Sequence, residues 1–205
     1  MKTITRRAAL AGLAFLTTLR RVSADPALEP ASRLIESLAA RAIGVLRRDD
    51  LGLEQREAQF RAILGEGFDL AFIGRFVLGK HWQAADDDQR EEYQALFAEF
   101  VLRTYAARFG GYKGETFTVT GARRSGDKDV IVACAISRSG AAPIATEWRV
   151  RDVQGGPRII DVAVEGISMA LNQRQEFDSV VAQHGLDGLI AMLRARVSKA
   201  VVASG

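Results

Sequence analysis

The hydrophobic period of this chain changes twice, and that change limits its fold more than any other feature. Before about residue 110, apolar residues recur every three to four positions; from Phe117 to Val164 they alternate; after Ser168 the longer spacing returns. A helix brings i, i+3 and i+4 to one face, whereas a strand brings i and i+2 there. Helices, then strands joined by short turns, then helices again make an α+β fold. Its antiparallel sheet must bury one face against the helices. Such packing can leave a pocket between the layers, but spacing alone does not establish one.

The individual elements are legible to different degrees. Leu34, Leu38, Ala42 and Val45 mark a first helix, with Pro30 near its start. Gly52 separates it from a second, whose apolar edge is Phe60, Ile63 and Leu64 and whose end is Gly65 to Gly67. Phe68, Phe72 and Phe76 fall at i, i+4 and i+8, which predicts a short helix with these rings toward the core, ending near Gly79. Glycines at 65, 67, 74 and 79 bound or interrupt the 68–82 segment. That makes it a candidate moving lid, with close packing at Gly74 as the alternative. Asp86 and Gln89 have capping-box spacing, and Asp87 and Asp88 suit a helix N-terminus. The helix they open carries Tyr93, Leu96, Phe97, Phe100, Val101, Thr104 and Tyr105 on one stripe and should stop at Gly110-Gly111.

In the alternating region, Phe117 and Val119 mark one strand, and Val130, Val132, Cys134 and Ile136 share a face of the next. Ile144, Thr146, Trp148 and Val150 alternate with Ala145, Glu147, Arg149 and Arg151; the second set should face solvent or a partner. A fourth strand runs from Ile159 to Val164. Turns at Ser125-Gly126, Ser139-Gly140 and Gly155-Gly156 imply an antiparallel meander of about four strands. Two helices close the chain, roughly 168–183 and 186–202, the last with Leu186, Leu189, Ile190, Leu193 and Val197 as its buried stripe.

Composition removes several classes. At 205 residues the chain suits one domain, and 48% apolar content excludes bulk disorder. The single Cys134 has no intrachain partner, and its place between Val132 and Ile136 marks a core position rather than a nucleophile. No run of 18 apolar residues occurs, so a conventional membrane span is not expected. The net charge of +3 is misleading. Residues 1–24 hold five of the 28 basic residues and none of the 25 acidic ones, leaving 23 against 25 in the rest. A case for nucleic-acid binding from overall charge therefore fails.

Those first 24 residues have the parts of an export signal: Lys2, Arg6 and Arg7, an apolar stretch from Ala8 to Leu19, and small residues at Val22-Ser23-Ala24. Thr5 to Leu10 suits twin-arginine export; an ordinary Sec signal with two arginines is the alternative. The expected mature N-terminus is near Asp25, and the expected compartment is the bacterial periplasm. Residues 25–205 are then a single domain.

Catalytic and metal motifs are not evident. Nucleotide loops, the zinc-protease helix motif and the serine-hydrolase elbow are missing, and His81 and His184 are too distant for a local metal motif. Asp161 and Glu165, at a strand end, admit an acid–base reading of the kind a cone-shaped α+β pocket can host. In the simpler reading Asp161 pairs with an arginine such as Arg149 and Glu165 caps the next turn. Phe72, Phe76, Trp82, Phe97, Phe100, Tyr105 and Trp148 can be cavity lining or ordinary packing.

A family resemblance joins these features. Phe68-Asp69-Leu70, Val77 to Trp82, Gln89-Arg90, Phe97 and Tyr105-Ala106 resemble the first half of the MlaC (toluene-tolerance) family. Ile160 to Met169, followed by Arg174 and Phe177, resembles its second signature, and Gly185 to Ile190 with Leu193 its terminal helix. Pro157, Ile160 and Gln173 stand where the family often has aromatic residues.

The resemblance implies an NTF2-like cone with a helical part and a carrier rather than an enzyme. The cargo would be phospholipid, with its acyl chains in an apolar cavity; no cofactor or metal is expected. The implied partners are an inner-membrane ABC transporter with an MCE-domain subunit and an outer-membrane lipoprotein complex, and the expected state is a monomer. The expected lipid-binding residues on the helices are Phe72, Phe76, Trp82, Phe97, Phe100, Val101, Tyr105 and Met169. Those on the sheet are Val132, Ile136, Trp148, Val150, Val162 and Val164. A hopanoid or other polyisoprenoid carrier, a small NTF2-like enzyme with Asp161 as base, and an adaptor that binds only proteins are the alternatives.

Overall fold

A computed structural model describes residues 25, 26, 28–48, 50–106, 112 and 114–202. The export-signal reading of residues 1–24 and the Gly110-Gly111 stop lie outside them. The helices before the sheet are α1 (Leu28–Leu46), α2 (Leu53–Gly67), α3 (Leu70–Leu78), α4 (His81–Ala84) and α5 (Asp87–Ala106). The strands are β1 (Thr116–Ser125), β2 (Asp129–Ser137), β3 (Ile144–Val153), β4 (Gly156–Val164) and β5 (Ile167–Ser168). The last helix, α6 (Met169–Val202), breaks at Gly185, whose φ of 71° and ψ of 176° leave helical space. The two expected closing helices are thus its two halves.

The sheet is an antiparallel meander in the order β1-β2-β3-β4-β5. Its fifth strand, two residues long, was not anticipated. It folds back through Glu165 and Gly166, both at positive φ (49° and 80°), as in the tight turns that match strand twist. Glu165 was expected to cap the following turn. It instead grips the start of β3: its amide donates to Ala145 O at 2.9 Å, and its carboxylate accepts from the Ala145 amide at 2.6 Å.

Two apolar clusters hold the layers. One is formed by helices: Ile73, Val77 and Leu78 of α3, Tyr93, Phe97 and Phe100 of α5, and Phe177, Leu189, Ile190 and Leu193 of α6. The other lies between α1 and the sheet: Ala31 and Ile35 against Val130, Val132, Cys134, Val150 and Ile159. Phe68 packs against both. On the opposite sheet face, Asp129 accepts from Arg151 Nε at 2.7 Å and forms an ion pair with Arg149, whose Nε stands 3.2 Å away, and Arg123 meets Glu147 at 2.9 Å. The expected charged face is therefore present, but Arg149 pairs with Asp129 rather than Asp161.

The capping box forms as read: the Gln89 amide donates to Asp86 Oδ1 at 2.8 Å and the Asp86 amide to Gln89 Oε1 at 3.2 Å. The phase of α3 differs from expectation. Phe68 lies before the helix, its backbone bridging Ile159 in parallel. Asp69 is the N-cap, accepting from the Phe72 amide at 2.9 Å. That start turns Ile73, Gly74, Val77 and Leu78 inward, leaving Phe72 half-buried and Phe76 exposed. A Cβ on Gly74 would stand 2.3 Å from Gln94 Oε1 and 2.9 Å from Phe97 Cδ1, while Tyr93 Oη donates to Gly74 O at 2.9 Å. Close packing against α5 accounts for this glycine.

Cys134 is 3% exposed. Burial, helped by the charge of Glu36, pushes its thiol up to about 12. Thiolate is the reactive form, so the native protein should resist thiol reagents at neutral pH and react only after denaturation. Native labelling at the rate of free cysteine would contradict this placement.

Candidate functional site

A cavity of about 330 Å³ separates α1 and α2 from the sheet. Its helical wall starts from an unusually wide apolar arc on α1. Ile35, Leu38, Ala39, Ala42, Ile43 and Leu46 run along the helix at spacings of three and four. Phe60, Ile63 and Leu64 of α2 continue that wall, and Phe68 closes it. The sheet supplies Phe117, Ile136, Trp148 and Ile159. Trp148 is the centre of this floor, edge-on to Phe68 at 6.2 Å and to Phe117 at 5.9 Å. Its indole Nε1 donates to Thr146 Oγ1 at 3.1 Å, so the ring offers the cavity no unsatisfied donor.

The cavity is polarised along its length. Its inner end holds Ile35 and Ile159, 2% and 0% exposed. Its outer end, beside the end of α1 and the start of β1, holds Tyr112, Glu115 and Thr116. These are the polar side chains of the lining apart from the satisfied indole. Such a space is suited to an apolar ligand with a polar end, because apolar surface gains about 25 cal/mol per Å² on leaving water.

The arrangement does not suit acid–base chemistry at Asp161. Its Oδ2 accepts from Ser168 Oγ at 2.6 Å and its Oδ1 from the Ala170 amide at 3.0 Å. Ser168 Oγ in turn accepts from the Leu171 amide at 3.0 Å. Asp161 thus supports the N-terminus of α6 and does not line the cavity. Among the described residues no cluster of three or more His, Cys, Asp or Glu could hold a metal. Lys80 Nζ and His81 Nε2 instead meet Asp178 at 2.9 and 2.7 Å, tying α4 to α6, and hold its carboxyl below the usual range.

The residues expected to bind lipid are divided by this geometry. Ile136 and Trp148 line the cavity. Val132 and Val150 are buried beneath it in the sheet cluster, with Val162 packed against them. Val164 and Met169 are half-buried at the β4 end and α6 start. Phe72, Trp82, Phe97, Phe100 and Val101 belong to the helical cluster instead. Phe76 lies exposed under the Arg174 guanidinium, 5.2 Å from its ring centroid, and Tyr105 is half-buried near the end of α5. The 68–82 segment covers the cavity only through Phe68. The lining outside the expected lipid-binding set comprises the residues of α1 and α2, with Phe68, Phe117 and Ile159 and the polar outer end. For α1 the signal was present: it carries a second stripe, Ile35, Ala39, Ile43 and Leu46, beside the one already noted.

Comparison with known proteins agrees with this fold. A phospholipid-binding protein from Ralstonia solanacearum, solved in complex with a phospholipid, superposes with a TM-score of 0.73 over 83% of this chain and 98% of its own, at 20% identity. The intermembrane phospholipid transport system binding protein MlaC of Haemophilus influenzae is 24% identical over 138 residues. That match spans 65% of this chain and 64% of the relative's length. The model of the MlaC protein family matches residues 36–195, most of the sequence and every element from mid-α1 to late α6. The chain therefore belongs to the MlaC family.

Proposed function

We propose that this protein is an exported, periplasmic phospholipid carrier. It takes acyl chains into the cavity between the α1–α2 pair and the sheet and leaves the headgroup at the Tyr112 end. The observation that carries the reading is the cavity's polarity: apolar from Ile35 to Ile43, polar only at its outer end. The family match and the phospholipid in the Ralstonia structure support it. The acyl-binding residues are then the lining itself, with Ile136 and Trp148 retained from the sequence reading and α1 and α2 added.

Energetics determine how such a carrier works. Burying acyl chain is worth about 0.8 kcal/mol per CH₂ against water. In the donor membrane those methylenes are already buried, so transfer into the cavity gains little. Direction must come from the protein's partners: an inner-membrane ABC transporter with an MCE-domain subunit and an outer-membrane lipoprotein complex. The cavity is also small, near the lower limit of pockets that bury a drug-sized ligand. Seating a two-chain lipid requires α1 and α2 to move away from the sheet. The two helices pack on one another, so they would move as a pair, giving up the contacts that α1 makes with β1 to β4 and α2 makes with α5.

Native mass spectrometry of protein purified from cells without detergent tests the reading. The expected result is a mature chain starting near Asp25 with one phospholipid bound. A bound hopanoid would transfer the reading to a polyisoprenoid carrier, and a protein consistently free of lipid would refute it.

A further inference from the structure

The outer end of the cavity has two arginines for which acyl-chain binding has no use. Arg47, just past α1, is exposed, and its Nε donates to Tyr112 Oη at 3.2 Å. That hydroxyl donates onward to Glu115 O at 3.3 Å, and both Tyr112 and Glu115 line the cavity. Arg56 stands on α2 four, seven and eight residues before Phe60, Ile63 and Leu64. It therefore continues their cavity-facing stripe by one turn toward the outer end. Its Nε is buried and has no hydrogen-bond partner among the described residues.

Other arginines of the same helical pair are matched: Arg41 with Glu66 at 2.7 Å, Arg48 with Asp50 at 2.6 Å, and Arg61 with Glu99 at 2.5 Å. A buried N–H without an acceptor is costly, so Arg56 is poised for an acceptor that arrives with a ligand. Guanidinium groups match phosphate oxygens in bidentate geometry. The described lining itself has one carboxylate, Glu115.

We propose that Arg47, positioned by the Tyr112 hydroxyl, and Arg56 form a clamp for the phosphate of a lipid headgroup at the cavity mouth. This rests on the carrier reading and deepens it. Acyl burial cannot distinguish a phospholipid from a neutral lipid with the same chains; a phosphate clamp can.

The test equilibrates the mature protein with vesicles containing equal amounts of dioleoyl phosphatidylglycerol and dioleoylglycerol, then identifies the bound lipids by mass spectrometry. Both lipids share one vesicle surface, so docking to the membrane is common to them. Parent protein should favour the phospholipid by about tenfold, equivalent to 1.4 kcal/mol. Arg47→Gln/Arg56→Gln should bring the ratio to within about twofold of unity, as two charge-assisted contacts are lost. Arg47→Gln alone, at an exposed position that leaves the fold intact, should give an intermediate ratio. Circular dichroism checks the fold of each variant. An unchanged ratio in both variants would overturn the clamp while leaving the carrier reading standing. Parent protein without either lipid would overturn both. Excess inorganic phosphate should leave the preference in place, because a tethered headgroup has a high effective concentration. Collapse of the preference in phosphate would overturn the assignment to a headgroup.

Discussion

An Ala42→Trp protein should fold normally and retain less than about a tenth of the lipid held by the parent, a loss of at least 1.4 kcal/mol. Ala42 lies in the middle of the α1 lining, facing open cavity rather than packed atoms. Forcing a large side chain into a filled core costs about 1–3 kcal/mol through displaced neighbours. Here the indole enters space that already exists, so stability should change little or rise. The same indole occupies much of a 330 Å³ cavity and meets the opposing Trp148 floor. Ala40→Trp, on the exposed face of α1, is the control and should retain parental lipid. Phospholipid counted by extraction and mass spectrometry, beside thermal melts of all three proteins, measures both effects. Equal lipid in the Ala42→Trp and Ala40→Trp proteins would place the acyl chains elsewhere.

The largest expected stability effect lies outside the cavity. Phe177 is 1% exposed and meets three rings: Tyr93 at 6.4 Å, Phe97 at 6.3 Å and Phe100 at 6.1 Å. It joins α6 to α5 at the centre of the helical cluster. Phe177→Ala should cost about 3–5 kcal/mol, because the transfer energy of the ring is lost and a cavity remains. For a domain of this size that corresponds to a fall in Tm of about 6–20 °C. Urea denaturation measures the change directly. Below its melting transition the variant should still bind lipid, because the helical cluster does not line the cavity. A loss under 1 kcal/mol would mean that the cluster is less tightly interlocked than its geometry indicates.

The two substitutions also show what was legible in the sequence. The helix–sheet–helix order, the Asp86–Gln89 capping box and the apolar face of β2 and β3 follow from local rules, and each is present in the fold. Aromatic spacing is a poorer guide to the cavity lining. Phe97 and Phe100 lie on the strongest helical stripe because that stripe builds a helical core. Phe76 shares a four-residue spacing with Phe72, yet the Asp69 cap sets the helix phase and puts Ile73 and Val77 inward. Which apolar residues pack and which surround empty space depends on the distance between layers. One-dimensional periodicity does not contain that distance. The useful clue was excess: α1 is apolar over a wider arc than one contact surface requires. Long-range placements such as Arg47 beside Tyr112, 65 positions apart, have no local signature.

The central claim is that lipid chains lie between the α1–α2 pair and the sheet. The chain's two tryptophans allow a direct test. Trp148 lines the cavity, whereas Trp82 sits in the helical part between the guanidinium groups of Arg75 and Arg90, 5.7 and 5.8 Å from its ring. Each can be observed alone by replacing the other with phenylalanine. The two proteins are loaded with phospholipid carrying bromine along its acyl chains, which quenches indole fluorescence at short range. Trp148 in the Trp82→Phe protein should be strongly quenched, and Trp82 in the Trp148→Phe protein should keep its emission. Quenching of Trp82 with Trp148 unaffected would contradict the account and put the acyl chains in the helical cluster.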